Sequence, residues 1–176
     1  MKLFVGCSSS DYIDNRYIDD CRKLLEVLLD KCDLVFGASD TGLMGYSYEI
    51  AKKNGRKVIG ACPKIYRDDF KKLECDIEIV TDTVNERTNA LIKNCDAMIF
   101  LPGGVGTIYE LFSCIESKRS HEYDKPIIIY NSYGYFDDIF KAVNKAYFEN
   151  FSDSRLKSLY SIVSSYQEVL EILKLF

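Results

Sequence analysis

The sequence predicts an α/β fold in three layers: a central, mainly parallel sheet of about seven strands with helices on both faces. Three observations carry this expectation. Short β-rich runs recur between longer helix-like segments, the pattern of βα units laid on a parallel sheet. Several of those runs are apolar at consecutive positions, as strands buried on both faces require. The connections after them are short and glycine-bearing, and no composition shift or repeat interrupts the 176 residues, so residues 1–176 read as a single domain.

The expected strands are, in order, KLFVG (2–6), DLVFG (33–37), KVIGA (57–61), IEIVT (77–81), AMIFL (97–101), IIIYN (127–131) and SIVSS (161–165). After the first, the segment 17–31 places Ile18, Cys21, Leu25, Leu28 and Leu29 close to one helical stripe. After the fourth, DTVNERTNALI (82–92) opens a helical segment with Glu86 and Arg87 near its start. After the fifth, IYELFSCIES (108–117) repeats the helical pattern with Ile108, Leu111, Phe112 and Ile115. The polar stretches near 118–125 and 150–158 are loop-sized.

Composition removes several classes of function. The net charge is -4, and no Lys/Arg-rich run or aromatic-interleaved basic patch is present, so a long nucleic acid is excluded as partner. No apolar run approaches the ~18 residues that span a bilayer, so no membrane role is expected. The opening MKLFVG reads directly as a strand rather than a leader, which points to a cytoplasmic protein. The seven cysteines are odd in number, scattered and never in a C-x-x-C pair, so neither a disulfide framework nor a metal site is expected. They read as reduced, mostly buried small hydrophobes. His121, the only histidine, lies in a charged stretch and reads as a solvated loop residue.

In open parallel sheets ligands bind beyond the carboxyl ends of the strands, where loops lead into helix N-termini. Two such loops here are rich in glycine: VFGASDTGLMG (35–45) and LPGGVGT (101–107). Glycines in that position let backbone amides approach an anion, and the helix that follows adds its unpaired amides and positive dipole end. With the Thr107 hydroxyl alongside, the second turn suits a phosphate. Neither loop matches the Walker pattern or G-x-G-x-x-G, which disfavours an ATP or NAD enzyme. Glu110 follows Thr107 by three residues and admits two readings. It either folds back on its own helix as part of a capping box or sits beside a phosphate-bearing sugar. Arg87 can hold a phosphate or carboxylate through two parallel bonds, or stand on the helix surface.

With these motifs in view the chain resembles the LOG family, the cytokinin riboside 5'-monophosphate phosphoribohydrolases often mislabelled lysine decarboxylases. The resemblance is carried by PGGVGTIYEL (102–111), TGLMG (41–45), VIGACPK (58–64), NERTNAL (85–91) and KPIIIYNSYGYFDDI (125–139). It implies a Rossmann-like fold, a homodimer, a catalytic pair at Arg87 and Glu110, and a phosphate loop at Gly103, Gly104, Gly106 and Thr107. Val105, Ser8, Gly42 and Asn85 complete the expected substrate contacts. The chain departs from the family pattern at GAS (37–39), where three glycines are usual, and at Asn85 and Thr88, where histidine and lysine are usual.

The expected activity is hydrolysis of the N-glycosidic bond of a purine nucleoside 5'-monophosphate, cytokinin-type bases included, to free base and ribose 5-phosphate. It calls for no metal or organic cofactor. The alternative is a nucleotide-binding or molybdenum-cofactor carrier that uses the same loops without turnover. Amino-acid decarboxylation is disfavoured, because the chain offers no evident cofactor lysine site and is short for a pyridoxal-phosphate enzyme.

Overall fold

The computed structural model describes residues 1–152 and 154–175. In chain order it contains β1 (Lys2–Gly6), α1 (Asn15–Leu28), β2 (Asp33–Phe36), α2 (Gly42–Lys53), β3 (Val58–Pro63), α3 (Arg67–Phe70), β4 (Ile77–Thr81) and α4 (Val84–Lys93). The second half adds β5 (Ala97–Phe100), α5 (Val105–Arg119), β6 (Ile127–Tyr130), α6 (Asp137–Phe148), β7 (Ser161–Val163) and α7 (Tyr166–Leu173). Each expected strand is present, with its ends within two residues of expectation.

The seven strands form one sheet in the order β4-β3-β2-β1-β5-β6-β7, and every pairing is parallel. Side chains that alternate along the strands feed two apolar layers. On β1, Leu3 and Val5 join a layer with α1, α2, α3 and α7, whereas Phe4 joins a second with α4, α5 and α6. Both faces of the sheet are therefore covered, which is why the strands read as continuous apolar runs. All seven cysteines are free thiols, and all but Cys75 are buried. His121 is exposed in a turn.

Local chemistry sets the helix bounds. The helix expected over 17–31 starts at Asn15, because Asp14 caps it by accepting from the Arg16 amide at 3.0 Å. It ends at Leu28, where the chain turns toward β2. The segment expected from Ile108 begins three residues earlier, at Val105, directly out of the glycine turn. Within the polar stretch 150–158, residue 153 lies outside the described residues and Ser154–Ser158 forms a 3-10 turn. Among the described residues no helix is long and apolar enough to cross a membrane.

The strand order fixes where a ligand can sit. From β1 the chain steps outward through β2, β3 and β4, then crosses back to place β5 on the other side of β1. The loops after β1 and β5 diverge there and leave a crevice beyond the strand ends.

Candidate functional site

A cavity of about 530 Å³ opens at that crevice. Its wall comes from the loop after β1 (Cys7 to Ser10), the loop after β2 (Gly37 to Thr41), the glycine turn after β5, and Arg87 of α4. The loop after β1 is pinned on both sides: the Ser8 amide donates to the Pro102 carbonyl at 3.1 Å, and the Met44 amide donates to the Ser8 carbonyl at 3.1 Å.

The two glycine-rich loops lead into helices whose ends differ. At the start of α2, the Gly42 amide donates to Asp11 at 2.8 Å and the Met44 amide is taken by Ser8, so internal acceptors already use that helix end. Gly42 itself is buried with φ +58, in the left-handed region, and lies outside the cavity wall. At the start of α5, Gly104 is the N-cap and brings no capping side chain. Among the described residues, the amides of Val105, Gly106 and Thr107 have no acceptor, as expected of an uncapped first helical turn. That end of α5 is open to an anion.

The glycines of this turn serve different needs. A Cβ on Gly103 would lie 2.2 Å from Thr107 Oγ1 and 3.0 Å from the Ser8 amide, so only a bare backbone fits between them. The Gly103 carbonyl accepts from the Tyr135 hydroxyl at 2.7 Å, which ties the turn to the loop after β6. A Cβ on Gly104 or Gly106 would meet nothing within 4 Å, and both residues line the cavity. There the missing side chains leave open space at the cavity wall.

Arg87 and Glu110 meet below this turn. The Arg87 guanidinium donates from Nη2 to Glu110 Oε1, and the two side chains are only 12% and 2% exposed. Glu110 lies in the second turn of α5, and Thr107 is inside the helix rather than at its cap, so the capping-box reading of this pair does not hold. A T-x-x-E capping box does exist, on α4: Thr83 accepts from the Glu86 amide at 3.2 Å, and Glu86 accepts back from Thr83 at 3.3 Å. That box fixes the start of α4 and turns Arg87 inward.

The electrostatics follow from burial. Removal from water pushes Glu110 up to about 7, against the pull of Arg87 toward the ionised form. Its neighbour Cys7 is raised well above the ordinary thiol range, first by burial and then by Cys21 and Glu110, which leaves an uncharged thiol in the wall. Arg87 Nε is buried without a partner, so one donor of the guanidinium is unused.

Of the residues singled out in the sequence, Ser8, Arg87, Gly104, Gly106, Thr107 and Glu110 line the cavity. Gly103 backs the turn and faces a neighbouring groove of about 340 Å³. Val105 is 83% exposed, and Asn85 is exposed and accepts from the Tyr109 hydroxyl. Met44 and Tyr66 line the cavity without having been expected there. Met44 has a signal, its place in the first turn of the helix after a glycine-rich loop, whereas Tyr66 arrives from the β3–β4 crossover and has none.

Comparison with known proteins decides the family. A family model described as possible lysine decarboxylase matches residues 44–173. A probable cytokinin riboside 5'-monophosphate phosphoribohydrolase of Oryza sativa subsp. japonica is 30% identical over 178 residues, covering 99% of this chain and 71% of the relative. The chain belongs to the LOG family. Another LOG relative, a probable phosphoribohydrolase of the same kind from Arabidopsis thaliana, is 34% identical over 152 residues, 85% of this chain and 75% of its own. Among solved structures, a molybdenum cofactor binding protein from Rippkaea orientalis superposes with a TM-score of 0.70 at 21% identity, covering 98% of this LOG chain and 94% of the other. At that identity the likeness speaks to the fold alone.

Proposed function

We propose that the protein hydrolyses the N-glycosidic bond of a purine nucleoside 5'-monophosphate, releasing the free base and ribose 5-phosphate. The observation that carries this reading is the buried Arg87–Glu110 pair directly beneath an uncapped helix start. A phosphate held by the amides of Val105, Gly106 and Thr107 and by the Thr107 hydroxyl would bring the attached ribose toward Glu110. A buried ion pair contributes little net stability, because desolvation offsets the attraction, so folding alone gives weak reason for the pair to be there.

The reaction breaks the bond between C1' and the base nitrogen, and the electron pair leaves with the base. Water adds its oxygen to C1' and its protons are shared out, one remaining on the sugar hydroxyl and one ending on the base. The sugar passes through an oxocarbenium-like state, which an ionised Glu110 beside it stabilises while orienting the attacking water. Arg87 pulls Glu110 toward the ionised form against burial. Purified protein incubated with a panel of nucleoside monophosphates, with the products separated by chromatography, tests the proposal. Adenine appearing from AMP supports it, whereas nucleotide bound tightly and recovered intact would make the protein a carrier.

A further inference from the structure

Among the described residues two side-chain bonds are seen to join α4 to α5, and one of them involves the acid and the arginine. Arg87 reaches Glu110 inside the molecule, while outside it the Tyr109 hydroxyl donates to Asn85 Oδ1. Asn85 and Arg87 are two apart on α4 and so point to different sides of that helix. Tyr109 and Glu110 are adjacent on α5 and likewise diverge. The two bonds therefore grip α4 on both sides of its line of contact with α5. A single buried pair would act as a hinge about which α4 could roll; a second attachment off that axis removes the freedom. Asn85 is a firm anchor, because it lies within the turn closed by the Thr83–Glu86 capping box.

We propose that Tyr109 and Asn85 are positioning residues whose hydrogen bond sets how closely Arg87 faces Glu110. The proposal rests on reading Arg87–Glu110 as the working pair of the hydrolysis. Among the described residues, three charged or titratable groups interact with the Glu110 carboxyl: Arg87 from α4, Cys7 from the loop after β1, and Cys114 one turn further along α5. Both thiols are raised by burial and stay uncharged near neutral pH. Arg87 is then the one charge that holds Glu110 down, and any loosening of α4 weakens that hold.

The test compares Tyr109→Phe, Asn85→Ala and the double variant with wild type. The ionisation of Glu110 is followed by infrared difference spectra in which Glu110→Gln identifies the band. Tyr109 is 37% exposed and Phe keeps its ring, so these proteins should fold with nearly unchanged melting temperature. An opposite charge at contact moves a carboxyl by roughly 1–3 units, so partial release should raise the Glu110 midpoint by about half a unit or more in each single variant. The double variant should move no further than the larger single one, since both changes break the same bond. Midpoints equal to wild type, or two single shifts that add in the double variant, overturn the proposal. The titration needs no turnover, so a protein that releases no base defeats the hydrolysis reading while the clamp is still decided. Turnover with unmoved midpoints does the reverse.

Discussion

The Glu110 carboxylate accepts from the Arg87 guanidinium across the α4–α5 contact and not from the amides of its own helix. The carboxylate is thereby kept at the floor of a cavity, next to a helix start whose amides are free, in place of being spent on the helix end. A capping carboxylate is exposed and interchangeable with an amide, whereas a buried, cation-paired one is positioned to present charge.

Glu110→Gln separates these roles. Gln preserves shape and hydrogen-bonding capacity but not charge, so the variant should fold and bind AMP. Losing one group that stabilises developing charge typically costs on the order of a hundredfold in rate, and base release should fall by at least ~100-fold. Chromatographic assay of free base over a fixed time checks this. A variant that keeps most of the wild-type rate ends the catalytic assignment.

The raised pKa has a definite sign in both rate and stability. In the proposed hydrolysis ionised Glu110 is the working form, so the rate should fall as pH drops through about 7, and Glu110→Gln should lose that limb from whatever rate remains. For stability, the folded value of about 7 lies above the ordinary 4.5. Below the lower value the carboxyl is protonated in both states and nothing is lost. Between the two the unfolded chain ionises first, and wild type loses up to about 3 kcal/mol as pH rises through that window. Melting curves of the two proteins should therefore move apart in favour of Gln from pH 5 to pH 8. Parallel curves would mean that Glu110 ionises as an ordinary surface carboxylate does.

Much of this arrangement was legible in the sequence, for reasons that differ from residue to residue. The parallel sheet could be read because runs such as Met98–Phe100 and Ile127–Ile129 are apolar on both faces, and only burial in the middle of a sheet explains that pattern. The contact between Arg87 and Glu110 was not legible from spacing, since the two are 23 residues apart and meet only when the chain crosses back over β1; only the family resemblance implied that they belong together. The sequence favoured the second glycine-rich loop through Thr107, but a further reason, the occupation of the α2 amides by Asp11 and Ser8, is a tertiary fact. Spacing alone offered T-x-x-E at 107–110 as a capping box, but the helix already starts at Val105, because glycine at 104 suffices as N-cap.

We also expect a homodimer. Val105 and Tyr109 sit one turn apart on the outer side of α5, and Val84 opens α4 nearby; all three are exposed. Apolar side chains clustered beside a cavity mouth suit a contact with a second copy. Light scattering should return twice the chain mass of 20.2 kDa at micromolar concentration. A monomer there removes the expectation.

The adjacent glycines of the turn supply the most discriminating comparison. Gly103 is squeezed between Thr107 Oγ1 and the Ser8 amide, so Gly103→Ala must push the turn or the loop after β1 aside and should lower the melting temperature. Gly104 has φ -76, which alanine adopts freely, and its added methyl would meet no protein atom within 4 Å. Gly104→Ala should therefore melt like wild type. Gly104 lines the cavity at the start of α5, so a phosphate bound there would share that space with the added methyl, and AMP binding should weaken by at least ~10-fold, the loss of about one charge-assisted hydrogen bond. Adenosine, which has no phosphate, should bind wild type and Gly104→Ala equally weakly. Calorimetry with both ligands decides the matter: if AMP and adenosine bind wild type alike, or if Gly104→Ala leaves AMP affinity intact, the start of α5 does not hold the phosphate.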